Sequence, residues 1–433
     1  MNSILLKVLI AAATALLGAI VMRTGKLARV SDQIFLRSVV ALQLLPTAAL
    51  FLALYVVGHA EVTSDVPGYY LPVARATLAG QVPFRDFPLS YAPLFPYVGA
   101  AIVSVWNSGK VFALLAIGLN LLALLCWHQA ARTCLDRSTA RDTSILYASS
   151  GHLVVQALLG TSQIWIAAAL AATALLTVRN RSAAAGLVQA VSLCTTKFLA
   201  LLFWPVLLIC APRRGPWLVA AVVTSAVVYG AFASTGADLL YPLRFEETQM
   251  SSGNLPYLLD PSSSVSAVWG RFFDALALAA LVATISWLYL RTRPVRDRAR
   301  LVAPALALVG LVFMIFSKKS FTGYAAFFMY PMVWVLATRI RGAARAAFLL
   351  VFNVLLVAEP SLWFYLEGFN IPLRGWLASG ASARGYAFLL VDLALLACYI
   401  YLAWLSVLCV RSMVAGAISP RNSIQSAAAC SVE

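Results

Sequence analysis

The residues best suited to chemistry in this 433-residue chain crowd into one polar stretch, 59–93, HAEVTSDVPGYYLPVARATLAGQVPFRDFPLSYAP. Asp65 stands there in TSDVPGYY, flanked by Tyr69 and Tyr70. A carboxylate so placed suits a general base that takes a proton from a hydroxyl; it equally suits an N-cap for a helix over 69–78. Arg85 and Asp86 follow, adjacent opposite charges among prolines and aromatics. Asp86 fits either substrate binding or a local ion pair that shapes the loop, and Arg85 fits either a partner for Asp65 or a bidentate clamp on a phosphate. Farther on, Lys197 falls among apolar residues in LCTTKFLALLFWP, where a cation faces a cavity or partner, or snorkels to the interface. With Thr195 and Thr196 before it, Lys197 is expected to hold an anion. Lys318 and Lys319, in FSKKSFTGY, have hydroxyls on both sides and suit a phosphate cradle or contact with anionic headgroups. Gln163, in GTSQIW, offers hydrogen bonds to a polar ligand such as a sugar. Asp392 lies inside the last apolar segment, as a proton carrier would, or as the partner of Arg374 or Arg384. His59, His128 and His152 have no metal-ligand spacing, and Walker A, GxGxxG and HExxH motifs are absent, so neither a metal nor a nucleotide cofactor is expected.

The elements around these residues are oily. The chain is 62% hydrophobic and 11% charged, with a mean hydropathy of +0.87. No soluble domain is that apolar, so the expected fold is all-α and polytopic, with helical spans because lipid offers unpaired backbone groups no partner. Apolar segments cover 4–22, 34–57, 111–131, 144–159, 164–178, 217–234, 272–290, 301–316, 324–337, 346–357 and 386–410. A further segment, 184–210, is too long for one straight span and reads as a hairpin of two short helices; the whole gives about 12–13 crossings. Segment 94–106 is too short to cross and is expected to be interfacial or re-entrant. The first segment reads as a retained span rather than a signal peptide, for want of a small-residue cleavage site. Residues 1–411 then form one membrane domain, and 412–433 a disordered cytoplasmic tail.

Charge orients the spans. With 23–37 in the cytoplasm, the clusters Arg132/Arg137/Arg141, Arg179/Arg181, Arg213/Arg214, 291–300 and Arg339/Arg341/Arg345 all fall inside, as Lys and Arg do in membrane proteins. Asp65, Asp86, Glu246 and Glu359 fall outside. The extracytoplasmic face then carries the loops 59–93 (partly helical), 236–266, 317–322 and 359–384. A net charge of +16 is thereby topology rather than a nucleic-acid footprint, which would need a basic soluble domain. Cytoplasmic loops leave no room for a nucleotide-binding domain. Seven cysteines form no CxxC pair and no disulfide framework, and read as small apolar fillers.

Set in order, these motifs resemble those of GT-C class membrane glycosyltransferases, most closely the bacterial family 87 mannosyltransferases that use polyprenyl-phosphate mannose. That family places an Asp and a Tyr after the opening span, then Gly-x-x-Pro-Tyr, then Tyr-Pro-Pro-Leu. The matching positions are Asp65, Tyr69, Gly80, Pro83, Phe84, Tyr91, Ala92, Pro93 and Leu94, with Phe84 in place of Tyr and Ala92 in place of Pro. GTSQIW is similar to the family's Gly-Gln segment at Gln163, and AGLVQAVSLCTTKFLALLFWP to its Ala-Gly-Leu, Lys, Pro segment at Lys197. The likeness runs through about the first half of the chain.

The resemblance implies a GT-C-like fold in a bacterial inner membrane, with its active site facing the periplasm. Donor and acceptor would be a polyprenyl-phosphate sugar, mannose foremost, and a glycolipid or glycan, with membrane lipids as the remaining partners. Asp65 would be the catalytic base in an inverting transfer. The leaving phosphate calls for cations near it, which Lys197, Lys318, Lys319 and Arg85 can supply. Tyr69, Asp86, Tyr91 and Gln163 would bind substrate, with Trp363 and Tyr365 among the aromatics that stack on sugar rings. A transporter or lipid flippase is the alternative, resting on Lys197 and Asp392 at membrane depth, although no paired inverted halves are evident. A glycan polymerase or ligase comes third, since the 236–266 loop has Arg244 but no His.

Overall fold

A computed structural model describes residues 4–247, 251–259, 267–365 and 383–418, and no strand occurs among them. The helices are α1 (Ile4–Thr24), α2 (Lys26–Arg29), α3 (Asp32–Phe51, continued by a π turn to Val57), α4 (Leu71–Leu78, entered through a π turn at Val66–Tyr70) and α5 (Phe95–Val105). Next come α6 (Lys110–Cys134), α7 (Arg137–Ala148), α8 (Gly151–Leu158), α9 (Gln163–Val178), α10 (Ser182–Thr195), α11 (Trp204–Cys210), α12 (Arg214–Ala233), α13 (Tyr241–Glu247) and α14 (Leu255–Leu259). The last are α15 (Ala267–Thr292), α16 (Val302–Phe316), α17 (Met329–Arg339), α18 (Gly342–Tyr365) and α19 (Ala383–Ile418). Eight helices among the described residues are long and apolar enough to cross a membrane, and four shorter apolar ones accompany them.

Apolar character on all sides sends α16 to the centre: 89% of the span Arg298–Phe316 is buried, against 17% for the spans of α12 and α15, whose apolar faces are left for lipid. Charge ties one end of the bundle together. Asp32, opening α3, accepts from Arg132 (2.8 Å), Arg137 (3.0 Å) and Arg141 (2.7 Å), so one carboxylate joins α3 to α6 and α7. Arg345 on α18 reaches Asp142 at 2.6 Å.

Local geometry departs from the hydropathy pattern in four places. The segment 144–159 is broken at Ser149–Ser150, and α7 starts earlier, at Arg137, because the Asp136 carboxylate caps it by accepting the Thr139 N–H at 3.0 Å. Helix α1 crosses at the break: a Cβ on Gly151 would lie 2.3 Å from the Cα of Ala11, an approach only glycine permits. Segment 346–357 extends to Tyr365, so Glu359 belongs to a helix rather than to a loop. Helix α19 continues past Val410 to Ile418, taking in the start of the segment expected to be a tail; residues 419–433 lie outside the described residues.

The hairpin at 184–210 positions the site. Helix α10 ends where Thr196 (φ −126°, ψ −101°) and Lys197 (φ −139°, ψ 157°) leave helical geometry. A helix end exposes carbonyls with no partner of their own. Two of these are taken by the polar loop: Ala92 N–H donates to Thr196 O (2.8 Å) and Leu94 N–H to Cys194 O (2.9 Å). The end of the 59–93 loop is thereby laid against the hairpin tip.

Candidate active site

Asp65 precedes the turn Val66–Tyr70, but its side chain does not cap it. Ser64 does that work instead: its hydroxyl accepts the Val66 N–H (3.2 Å) and donates to the Leu159 carbonyl (2.6 Å). The Asp65 carboxylate is left exposed to a cavity of about 740 Å³, a size that fits a small-molecule site. Tyr91 Oη donates to Asp65 Oδ2 at 3.2 Å and lies 3.0 Å from Tyr70 Oη, which accepts the Ser162 N–H at 3.2 Å. A phenol has one proton and a carboxylate only accepts, so the chain runs one way, from Ser162 through Tyr70 and Tyr91 to Asp65. Burial pushes the Tyr70 hydroxyl up to about 12 and raises Tyr91 well above the usual phenol value, with Tyr70 and Asp65 adding to the effect. Both phenols therefore stay protonated and keep donating. Their rings are fixed by packing: Tyr91 stacks on Phe95 at 4.4 Å and meets Tyr70 edge-on at 5.3 Å.

Lys197, at the hairpin tip, places Nζ 4.5 Å from the Tyr91 ring centroid and 5.8 Å from that of Tyr324, a cation–π seat. Glu246 on α13 lies 3.9 Å away. Both Lys197 and Glu246 line the cavity with Asp65. Tyr69 also lines it, its hydroxyl accepting from the Ser90 N–H and from Ser90 Oγ. Gln163 opens α9 at the cavity wall with a buried Oε1 that has no hydrogen-bond partner among the described residues, an acceptor ready for a ligand.

Other residues singled out above sit elsewhere. Arg85 and Asp86 grip each other bidentately at 2.8–2.9 Å, and Asp86 Oδ2 also accepts the Val82 N–H at 2.7 Å. The Arg85 guanidinium holds Asp86 down at about 2. The pair closes the loop on itself and does not line the cavity. Lys318, expected to bind phosphate, is buried against Asp274 Oδ2 (3.0 Å) and the Gly270 carbonyl (3.3 Å). Lys319 lies 3.9 Å from the same carboxylate. Asp274, near the start of a segment that reads as plain span, pairs with Lys318 and lies within reach of Lys319. Asp392 is buried outside the cavity, near the Gly253 backbone and the Glu359 carboxylate. Arg374, the Arg384 side chain and the side chains of Trp363 and Tyr365 lie outside the described residues. No group of three or more metal-ligating side chains occurs among the described residues.

Sequence reasoning passed over Tyr70, Lys7, Glu246 and Glu359 as site residues. Lys7, the one charge in the apolar segment 4–22, lines the cavity; a lone intramembrane cation was the available signal. Tyr70 had none that separates it from Tyr69, because only the partners across the fold tell them apart. No family model matches this chain, and no curated protein matches it significantly.

Proposed function

We propose that this protein is a GT-C-type membrane glycosyltransferase of the cell envelope, which moves a sugar from a polyprenyl-phosphate donor to a hydroxyl of a lipid or glycan acceptor. The observation that carries the reading is the Asp65 carboxylate, open to a 740 Å³ cavity and held by Tyr91, with Lys197 on the same wall system. Asp65 takes the proton of the acceptor hydroxyl. The acceptor oxygen bonds to the anomeric carbon from the face opposite the phosphate, and the bond from that carbon to the phosphate oxygen breaks with inversion. The lipid phosphate leaves with the electron pair, its charge met by Lys197. Arginine asymmetry argues for a cavity on the extracytoplasmic side, within reach of a lipid-borne sugar and away from nucleotides. The motif resemblance makes mannose the first sugar to test.

The test is transfer from polyprenyl-phosphate mannose and related donors by the purified protein in nanodiscs. Asp65→Asn should cut turnover at least about 100-fold, the usual scale for removing a general base, while donor binding persists. Full transfer by that variant overturns the mechanism. The second reading, a transporter, draws on the buried Asp392 in the last span; substrate uptake into proteoliposomes without covalent product would favour it.

A further inference from the structure

The cavity has a second acid to which the mechanism above gives no task. Glu359, on α18, is fully buried yet lines the cavity. The hydroxyl of Ser252 donates to its Oε1 and that of Thr322 to its Oε2. No lysine or arginine pairs with it among the described residues. A carboxylate has about four lone-pair directions, so two hydroxyls leave each oxygen with capacity to accept again. A buried carboxylate without a cation gains most from further donors.

The surroundings are built to hold Glu359 still. Gly253, at φ +78°, turns the chain tightly against it: a Cβ there would lie 3.2 Å from Thr322 Oγ1 and 3.4 Å from the Glu359 carboxyl carbon. Asn254 braces the turn, donating to the Ser251 carbonyl (2.8 Å) and accepting the Tyr257 N–H (2.9 Å). The Ser251 N–H is anchored on the Lys318 carbonyl at 2.8 Å. The cavity wall it shares also carries hydroxyls and amides, among them Ser361, Thr161 and Gln156, and a second buried acid, Asp392, lies near it outside the cavity. Asp65 differs: it is exposed, takes one phenol donor, and can accept a proton. Glu359 is a fixed acceptor in a hydroxyl-rich pocket, which is the chemistry that recognises a polyol.

We propose that Glu359 is the sugar-recognition residue, accepting hydrogen bonds from hydroxyls of the transferred sugar and so setting which sugar is used. This rests on the glycosyl-transfer reading. The test compares binding of bare polyprenyl phosphate with binding of polyprenyl-phosphate mannose, for wild type, Glu359→Gln, Asp65→Asn and the double variant Ser252→Ala/Thr322→Val. Glu359→Gln should weaken the sugar-bearing lipid about tenfold or more, the scale of hydrogen bonds to a charged group, and leave the bare lipid phosphate unchanged. The double variant, which keeps the carboxylate but frees its position, should show the same sugar-dependent loss in smaller degree. Equal loss of both lipids, or no loss of the sugar-bearing one, overturns the assignment. Asp65→Asn keeps both lipids and loses transfer if the mechanism stands, so failure at Glu359 is distinguishable from failure of the base. A wild-type protein that binds neither lipid sinks the glycosyl-transfer reading and this one with it.

Discussion

Replacing Tyr91 by Phe tests the hydrogen-bond chain that holds the base. The change removes the hydroxyl 3.2 Å from Asp65 Oδ2 and keeps the ring that stacks on Phe95 at 4.4 Å and carries Lys197 at 4.5 Å. Tyr70 loses its neighbour but finds another acceptor already at hand, Ser162 Oγ at 3.1 Å. No buried polar group is stranded, so the cost in stability should stay below about 1 kcal/mol. The cost in rate is larger. A hydrogen bond to a charged acceptor contributes about 1.5–3 kcal/mol, and each 1.36 kcal/mol is about tenfold, so kcat/KM should fall roughly 10- to 100-fold. The assay is steady-state transfer from polyprenyl-phosphate mannose, run beside a thermal melt. Because Tyr91 acts through Asp65, adding Tyr91→Phe to Asp65→Asn should cost little more. Wild-type turnover in the single variant, or fully additive losses in the double one, would show that Tyr91 does not act through Asp65.

Lys318→Met should lower thermal stability by about 1–2 kcal/mol, the loss of a buried cation from a half-exposed acid, and leave donor binding unchanged; weakened binding would restore Lys318 to the phosphate site. The Asp86 loop carries a pH signature. Its folded value, about 2, is depressed below the ordinary carboxylate range by Arg85, so its contribution is complete above that range and is lost as pH falls toward 2. Limited proteolysis at Arg85 should therefore stay slow at pH 5 and accelerate as pH drops from about 4 toward 2, and Asp86→Asn should be cleaved readily at both ends. Equal cleavage of the two proteins at pH 5 would show that the ion pair does not hold the loop.

Much of the fold is legible in the sequence because membrane hydropathy is a local property. A run of twenty apolar residues declares a span whatever lies elsewhere, and the break at Thr196–Lys197 announced itself through an overlong segment with a charge in its middle. The polar loop stood out for the same reason, and with it Asp65, Tyr69 and Tyr91. Caps and close contacts blurred the edges: Asp136 started α7 early, and the contact of Gly151 with Ala11 is invisible in either segment alone.

The order of residues along the chain already marks those that are costly in lipid, hence the spans, the polar loop and a short list of charges that need partners. Which partner each charge found was settled by tertiary contacts, because hydrogen bonds and ion pairs act over a few ångströms between residues far apart along the chain. Lys197 met Tyr91 and became part of the cavity, whereas Lys318, no less plausible on paper, met Asp274 and left it. Tyr70 and Tyr69 are neighbours in sequence, yet packing directs Tyr70 to Ser162 and Tyr91, and Tyr69 to Ser90. Glu359 reads as a loop acid until α18 carries it into the cavity beside Ser252 and Thr322.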